Sequence, residues 1–333
     1  MAEANGISAL LNQVFGPERF PVKVAELALE YSQQRFPRSP ITKVHGATLP
    51  CLEGMLKPNK DRTRWLIVYD AAVTSPGRTQ FTIAHEFGHY LLHRELPGQG
   101  EFLCSTEDKA GWSGGVRAVE NDADKFAATL LMPFDDFRRQ VASATVNLDV
   151  LSACADRYGA SMQAVIRRWI EFTPTRAVMV VSRSGFIQWS WSSQTALKTG
   201  AFFRFGKQTI PIPEGSLASS PMRNVDEREG ITVPARIWFP REPDDMPLRE
   251  MHIVSDHYDF VISLLVMPDR KPWETQEEEE EPGLESAIDR FERYGHGLYH
   301  RRRRQSPRGP TRRLLSVGNR CSGGLDGRED RRR

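Results

Sequence analysis

Residues 81–93, FTIAHEFGHYLLH, set two histidines and a glutamate among apolar neighbours, and no other stretch restricts the fold as much. At a helical period, Phe81, Ala84, Gly88, Leu91 and Leu92 flank His85 and His89, so the polar residues fall on a buried face. Imidazoles and a carboxylate withdrawn from water need partners. A chain that buries them has to be organised around whatever satisfies them, since leucine would pack there more stably.

The spacing suggests what that partner is. His85 and His89 are four apart and lie one above the other on a helix. Two neutral imidazoles presented in this way can hold one zinc ion at about 2.0–2.1 Å each. Glu86 follows about 100° around the helix, close to such a metal without having to ligate it, and is placed to take a proton from a water that the metal has acidified. HExxH is short, and its position on a plausible helix directly after a strand-like run, WLIVYD, is what raises it above chance.

Two histidines do not complete a catalytic zinc site, which takes three protein ligands and keeps one position open. The longer HExxHxxGxxH form is excluded, because Leu92 and Glu95 stand where it needs glycine and histidine. The strongest third candidate is Glu120 in VENDADKFAATLLMP: Ala123, Ala127, Leu130 and Leu131 follow at helical spacing, so this carboxylate lies on an apolar face. Asp124, one turn on, can orient a ligand histidine through its other ring nitrogen. Glu95, Glu107, Asp108 and Asp122 are rivals for the third position, and a plain helix salt bridge is the bland reading of Glu120. His93 extends the histidine row, but a straight helix does not wrap three turns around one ion, so a packing or hydrogen-bonding role is expected. Tyr69 and Tyr90 can polarise a carbonyl, although core packing is the commoner use of such rings. The four cysteines, Cys51, Cys104, Cys154 and Cys321, form no CxxC pair, so nitrogen and oxygen must hold any metal.

Along the chain, Ile7, Leu10, Leu11, Val14 and Phe15 make a helical stripe, and a second helix is expected from Val22 to about Gln34 before Pro37. CLEGML and WLIVYD read as a hairpin across KPNKDRTR, and Ser75-Pro76 as a helix start. Residues 96–115 read as a loop, followed by a helix from about Arg117 to Leu131. Residues 147–171 read as two short helices joined at Gly159, with Ser161 as the second N-cap. That spacing resembles a helix-turn-helix, although packing against the first domain is the expected outcome and direct DNA binding the alternative. Beyond Arg176 the runs AVMVVS, FIQWSW, AFFRFG, ARIWFP and DFVISLLVM predict strands. The expected organisation is a metallopeptidase domain over 1–146, the helical pair over 147–174, a mixed or mainly β domain over 175–270 and a low-complexity, disordered tail over 271–333.

The net charge of +2 conceals an asymmetry: residues 300–333 carry 12 basic and 3 acidic residues, which leaves 33 basic and 40 acidic residues before them. A nucleic-acid argument from the overall basic balance is therefore an argument about the tail. No apolar run reaches the length needed to span a bilayer and the first residues carry no basic, apolar leader, so a cytoplasmic protein with no membrane partner is expected.

RTQFTIAHEFGHYLLH followed by VENDADKFAATLLMP resembles the ImmA/IrrE family of zinc metallopeptidases, over roughly residues 20–172. The second motif carries that family's Glu-x-x-Ala and Phe-Ala-x-x-Leu-Leu-Met-Pro pattern, and it maps Glu120 onto the third ligand position. Asp124 departs from the pattern, which usually has asparagine there. The resemblance implies an α+β, zincin-like fold in which the HExxH helix packs on a small sheet. It also implies a cytoplasmic endopeptidase that cuts a helix-turn-helix repressor and so induces stress-response or mobile-element genes. After residue 175, where one branch of the family carries a sensor-like domain, regulation by a ligand is a further implication.

The expectation is thus a single-zinc endopeptidase in which His85, His89 and Glu120 hold the metal and Glu86 acts as the base, with an extended substrate segment added to an exposed strand edge near WLIVY. The alternative is a non-catalytic, zinc-containing regulator that binds a repressor or DNA. An intact Glu86 favours catalysis, because a structural zinc is normally closed by four protein ligands.

Overall fold

The helix that carries HEFGH is buried because it is pinned between a small sheet and a second helix. In the computed structural model, which describes residues 1–50, 52–96, 102–105, 114–142, 145–206, 208–219, 226–255 and 260–270, it runs over Pro76–His93 as α3. Before it come α1 (Ala2–Phe15), α2 (Val24–Arg35), β1 (Ile41–Ala47), β2 (Leu52–Pro58) and β3 (Trp65–Asp70). After it come β4 (Phe102–Ser105), α4 (Gly114–Leu131), α5 (Phe134–Val141), α6 (Leu148–Tyr158) and α7 (Met162–Ile170). Proline at the first position starts α3, but Ser75 makes no side-chain capping bond.

The first sheet has the order β1-β3-β2-β4. β2 and β3 form the expected antiparallel hairpin, β1 lies parallel to β3, and β4 is antiparallel to β2. Two expectations are corrected here. Residues 102–105, read as part of a loop, form a strand, and WLIVYD is an inner strand with no edge to offer. Its apolar run, with Trp65, Ile67 and Val68 buried, is what a strand covered on both faces requires. Among the described strands, the outer positions belong to β1 and β4.

In α1 the buried residues are Ala4, Ile7 and Ser8, while Leu10, Val14 and Phe15 are exposed, so the helix is rotated to turn its Ser8 side inward and buries only part of the apolar stripe. Buried Arg19 explains the rotation: its guanidinium donates to the Ser8 carbonyl and hydroxyl at 3.0 and 2.9 Å, holding that polar side inward.

α6 and α7 meet at Gly159, whose φ of 60° is the left-handed conformation that lets the chain turn there. Asn147 caps α6, and Ser161 caps α7 by accepting from the Ala164 amide. Buried Asp136 of α5 ties this pair down, accepting from Arg157 at 2.8 and 3.1 Å and from the Tyr158 hydroxyl at 2.8 Å. In α7, Val165, Ile166, Arg168, Trp169 and Ile170 are buried and the remaining residues half-buried, so the helix packs against the rest of the fold as expected.

The second sheet holds β5 (Arg176–Arg183), β6 (Phe186–Ser192), β7 (Ile210–Pro211), β8 (Ile231–Pro234), β9 (Pro247–Ser255) and β10 (Phe260–Met267) in the order β7-β6-β5-β10-β9-β8, every pair antiparallel. A short helix, α8 (Gln194–Lys198), follows β6. AFFRFG and ARIWFP are not extended strands. Phe205, Trp238 and Phe239 are buried in irregular or 3-10 backbone that covers one face of the sheet, so their aromatic content signals burial rather than strand pairing. The other face, through Ala177, Met179, Val181 and Trp189, shares an apolar cluster with Phe87, Phe126 and Trp169. The acidic and arginine-rich stretches of 271–333, and the disorder expected of them, lie outside the described residues.

Candidate metal centre

α3 and α4 approach closely because Gly88 faces α4 without a side chain: a Cβ there would stand 3.0 Å from a ring carbon of Phe126 and 3.3 Å from the Ala123 Cα. The approach brings Glu120 of α4 onto the His85–His89 face of α3. His85 Nε2 and His89 Nε2 are 3.0 Å apart, and the Glu120 carboxylate lies 3.2 Å from the first and 3.3 Å from the second. All three side chains are buried, and among the described residues they are the one group of three whose ligand atoms lie within 4.8 Å of one another.

The donor set fits a metal. A tetrahedral ion with bonds of about 2.0–2.1 Å sets its ligand atoms about 3.3 Å apart, close to the separations observed. Asp124 accepts from His85 Nδ1 at 2.7 Å, which places the ring proton on Nδ1 and leaves the Nε2 lone pair facing the cluster. Burial pulls the pKa of His89 down to about 4 against the opposing hydrogen bond to Glu120, so this imidazole is neutral at physiological pH. Burial would raise Glu120, but its contacts with the His85 and His89 imidazoles hold it well below the usual carboxylate range. Two imidazole nitrogens and one carboxylate thus converge on a point where a cation is the natural complement.

Glu86, fully buried on the next position of α3, faces β2. A Cβ on Gly54 would stand 2.6 Å from Glu86 Oε1 and 2.5 Å from Thr82 Cγ2, so the strand can cross the carboxylate only as glycine. Neither glycine was singled out as a site residue in the sequence, although a glycine inside the strand-like run CLEGML is the kind of signal that marks a close backbone approach. His93 proves to be a hydrogen-bonding residue: its Nδ1 lies 3.1 Å from His89 Nδ1, and it is buried.

Of the other candidates, Glu95 is exposed beside Arg94, Asp122 is exposed, and Glu107 and Asp108 lie outside the described residues. Tyr90 is core: its hydroxyl donates to the Ser39 carbonyl at 2.9 Å, and burial pushes its pKa up to about 12. Tyr69 pairs across the strands with Gly54 and packs against Gly46. Among the described residues, no helix is long and apolar enough to cross a membrane.

A family model described as the IrrE N-terminal-like domain, Peptidase_M78, matches residues 44–169. No curated protein matches the chain. Among solved structures, a Mycobacterium tuberculosis transcriptional regulator aligns at 16% identity and a TM-score of 0.47, covering 80% of this chain and 88% of that one. The matched segment contains α3 and α4 with the His85–His89–Glu120 cluster, so residues 44–169 are similar to the IrrE N-terminal-like domain of the ImmA/IrrE family.

Proposed function

We propose that the chain is a zinc-dependent endopeptidase with a zincin-like active site, whose substrate is a helix-turn-helix transcriptional repressor and whose action induces stress-response or mobile-element genes. The observation that carries the catalytic part is the convergence of His85 Nε2, His89 Nε2 and the Glu120 carboxylate at 3.0–3.3 Å, with Glu86 on the adjoining helix position. In this reading His85, His89 and Glu120 hold the ion, and Asp124 keeps His85 in the ligating tautomer. When bound, zinc supplies Lewis acidity toward water and toward a peptide carbonyl. Glu86 accepts the proton of the attacking water and returns it to the leaving amine, the two halves of general acid–base catalysis.

β4 is the outer strand on the Gly54 side of the first sheet, with Cys104 paired to Gly54. An extended substrate segment that adds to β4 would be held there by backbone hydrogen bonds. Residues 175–270 form the regulatory part in this reading, and the repressor as substrate rests on the family alone.

The test is incubation of the purified protein with a helix-turn-helix repressor encoded beside it, with and without a chelator, alongside Glu86→Gln. Cleavage that the chelator stops, together with a Glu86→Gln protein that keeps its zinc and loses about 10²–10⁴-fold in rate, is the expected result. Full activity in Glu86→Gln sinks the mechanism. Repressor or DNA binding without cleavage assigns the chain to the non-catalytic regulators.

A further inference from the structure

The two candidate ligand histidines are supported differently. His85 Nδ1 meets a partly exposed carboxylate, Asp124, at 2.7 Å. His89 is fully buried, and its Nδ1 meets the imidazole of His93, one turn further along α3, at 3.1 Å. A carboxylate can only accept, so it dictates the tautomer of His85; an imidazole can donate or accept, so it does not by itself dictate that of His89.

We infer that His93 is the positioning residue of this centre: its Nδ1 accepts the proton of His89 Nδ1, so that the His89 Nε2 lone pair faces His85 Nε2 and Glu120. This rests on the metal-site reading above. The need for it follows from burial. With no acceptor at Nδ1, His89 is better satisfied in the other tautomer, its Nε2–H donating to Glu120 at 3.3 Å or to His85 at 3.0 Å. A proton would then occupy the atom that has to ligate. Water is a poor substitute, because His89 has no exposed surface and His93 is itself buried. His93 thus does for the second ligand what Asp124 does for the first, without adding a negative charge.

The experiment uses the full chain and zinc alone. His93→Phe keeps a planar ring but puts carbon where Nδ1 stands, whereas His93→Asn places an amide oxygen there. Zinc affinity is measured by competition with a chromophoric chelator, and the melting temperature of each metal-free protein is recorded. Expected are a loss of about 10–100-fold in zinc affinity for His93→Phe and recovery of most of it in His93→Asn, with similar melting temperatures for the two metal-free variants. In the zinc-loaded wild type, ¹⁵N–¹H correlation spectra of the imidazoles place the His89 proton on Nδ1; a proton-free Nδ1 overturns the assignment even if neither variant folds. Wild-type affinity in His93→Phe, or equal losses in both variants, also overturns it. A wild-type protein that takes up no zinc defeats the metal-site reading itself, whereas normal uptake with an indifferent His93→Phe defeats only the role given to His93.

Discussion

Two buried polar clusters in this chain are built on opposite plans. At the head of the second sheet, fully buried Arg176 donates to Glu242, to Thr199 Oγ1 at 2.8 Å and to the Pro268 carbonyl at 3.2 Å, and Arg270 reaches the second oxygen of Glu242 at 3.0 Å. Cation and anion are both supplied by the chain. Between α3 and α4, by contrast, two imidazoles and a carboxylate aim at one another, and the supporting groups, Asp124 and His93, bring a further anion and a further imidazole. One arrangement pairs cation with anion within the chain; the other gathers a donor set that is compatible with a metal ion.

The contrast can be broken by experiment. The largest expected effect is on stability with and without metal: free zinc at about a thousandfold above its dissociation constant should stabilise the protein by about 4 kcal/mol. A melting temperature indifferent to zinc and chelator would show the two clusters to be alike. Next, Glu242→Ala should cost about 3 kcal/mol or more whether or not zinc is present, because it leaves Arg176 buried without its counter-charge. Urea titration of the metal-free and loaded forms checks that independence. Asp124→Ala should lower zinc affinity by about 10–100-fold while leaving the metal-free protein nearly as stable as before, since Asp124 is partly exposed.

The smallest effect concerns Asp136, a site of the completed kind. Burial would raise its pKa, but the hydrogen bonds from Arg157 and Tyr158 outweigh this and hold it below the ordinary aspartate value. A carboxyl depressed in the folded state contributes fully above its unfolded pKa of about 3.9, and that contribution is lost as the pH falls through the lower, folded value. The stability difference between wild type and Asp136→Asn should therefore be steady from about pH 7 to 5 and shrink on further acidification. A constant difference down to pH 3 would contradict the pairing.

Much of the candidate site could be read in the sequence because it lies on two long helices with strong periodicity. The apolar neighbours of His85 and His89, and those of Glu120, each indicated a buried face, and the structure brings those faces together at 3.0–3.3 Å. What escaped notice depends on pairing rather than period. β1, ITKVHGA, is short and buries only Ile41, and β4 lies in a segment with no clear repeat, so nothing local marked either as a strand. AFFRFG and ARIWFP erred the other way, since aromatic residues record the need for burial and not the geometry that provides it. The same limit applied to His93: its period placed it above His89, but only the 3.1 Å contact shows which nitrogen meets which.

The missing side chain at Gly88 also has a consequence for ion choice. α4 packs against α3 there so closely that an added Cβ would stand 3.0 Å from a Phe126 ring carbon and 3.3 Å from the Ala123 Cα, so backbone packing helps to set the span from Glu120 to the histidines. A single methyl group at that point would act as a shim, easing the carboxylate outward. In the metal-site reading, it would favour wider cations with bonds of about 2.3–2.6 Å over zinc, through a residue that is not itself a ligand.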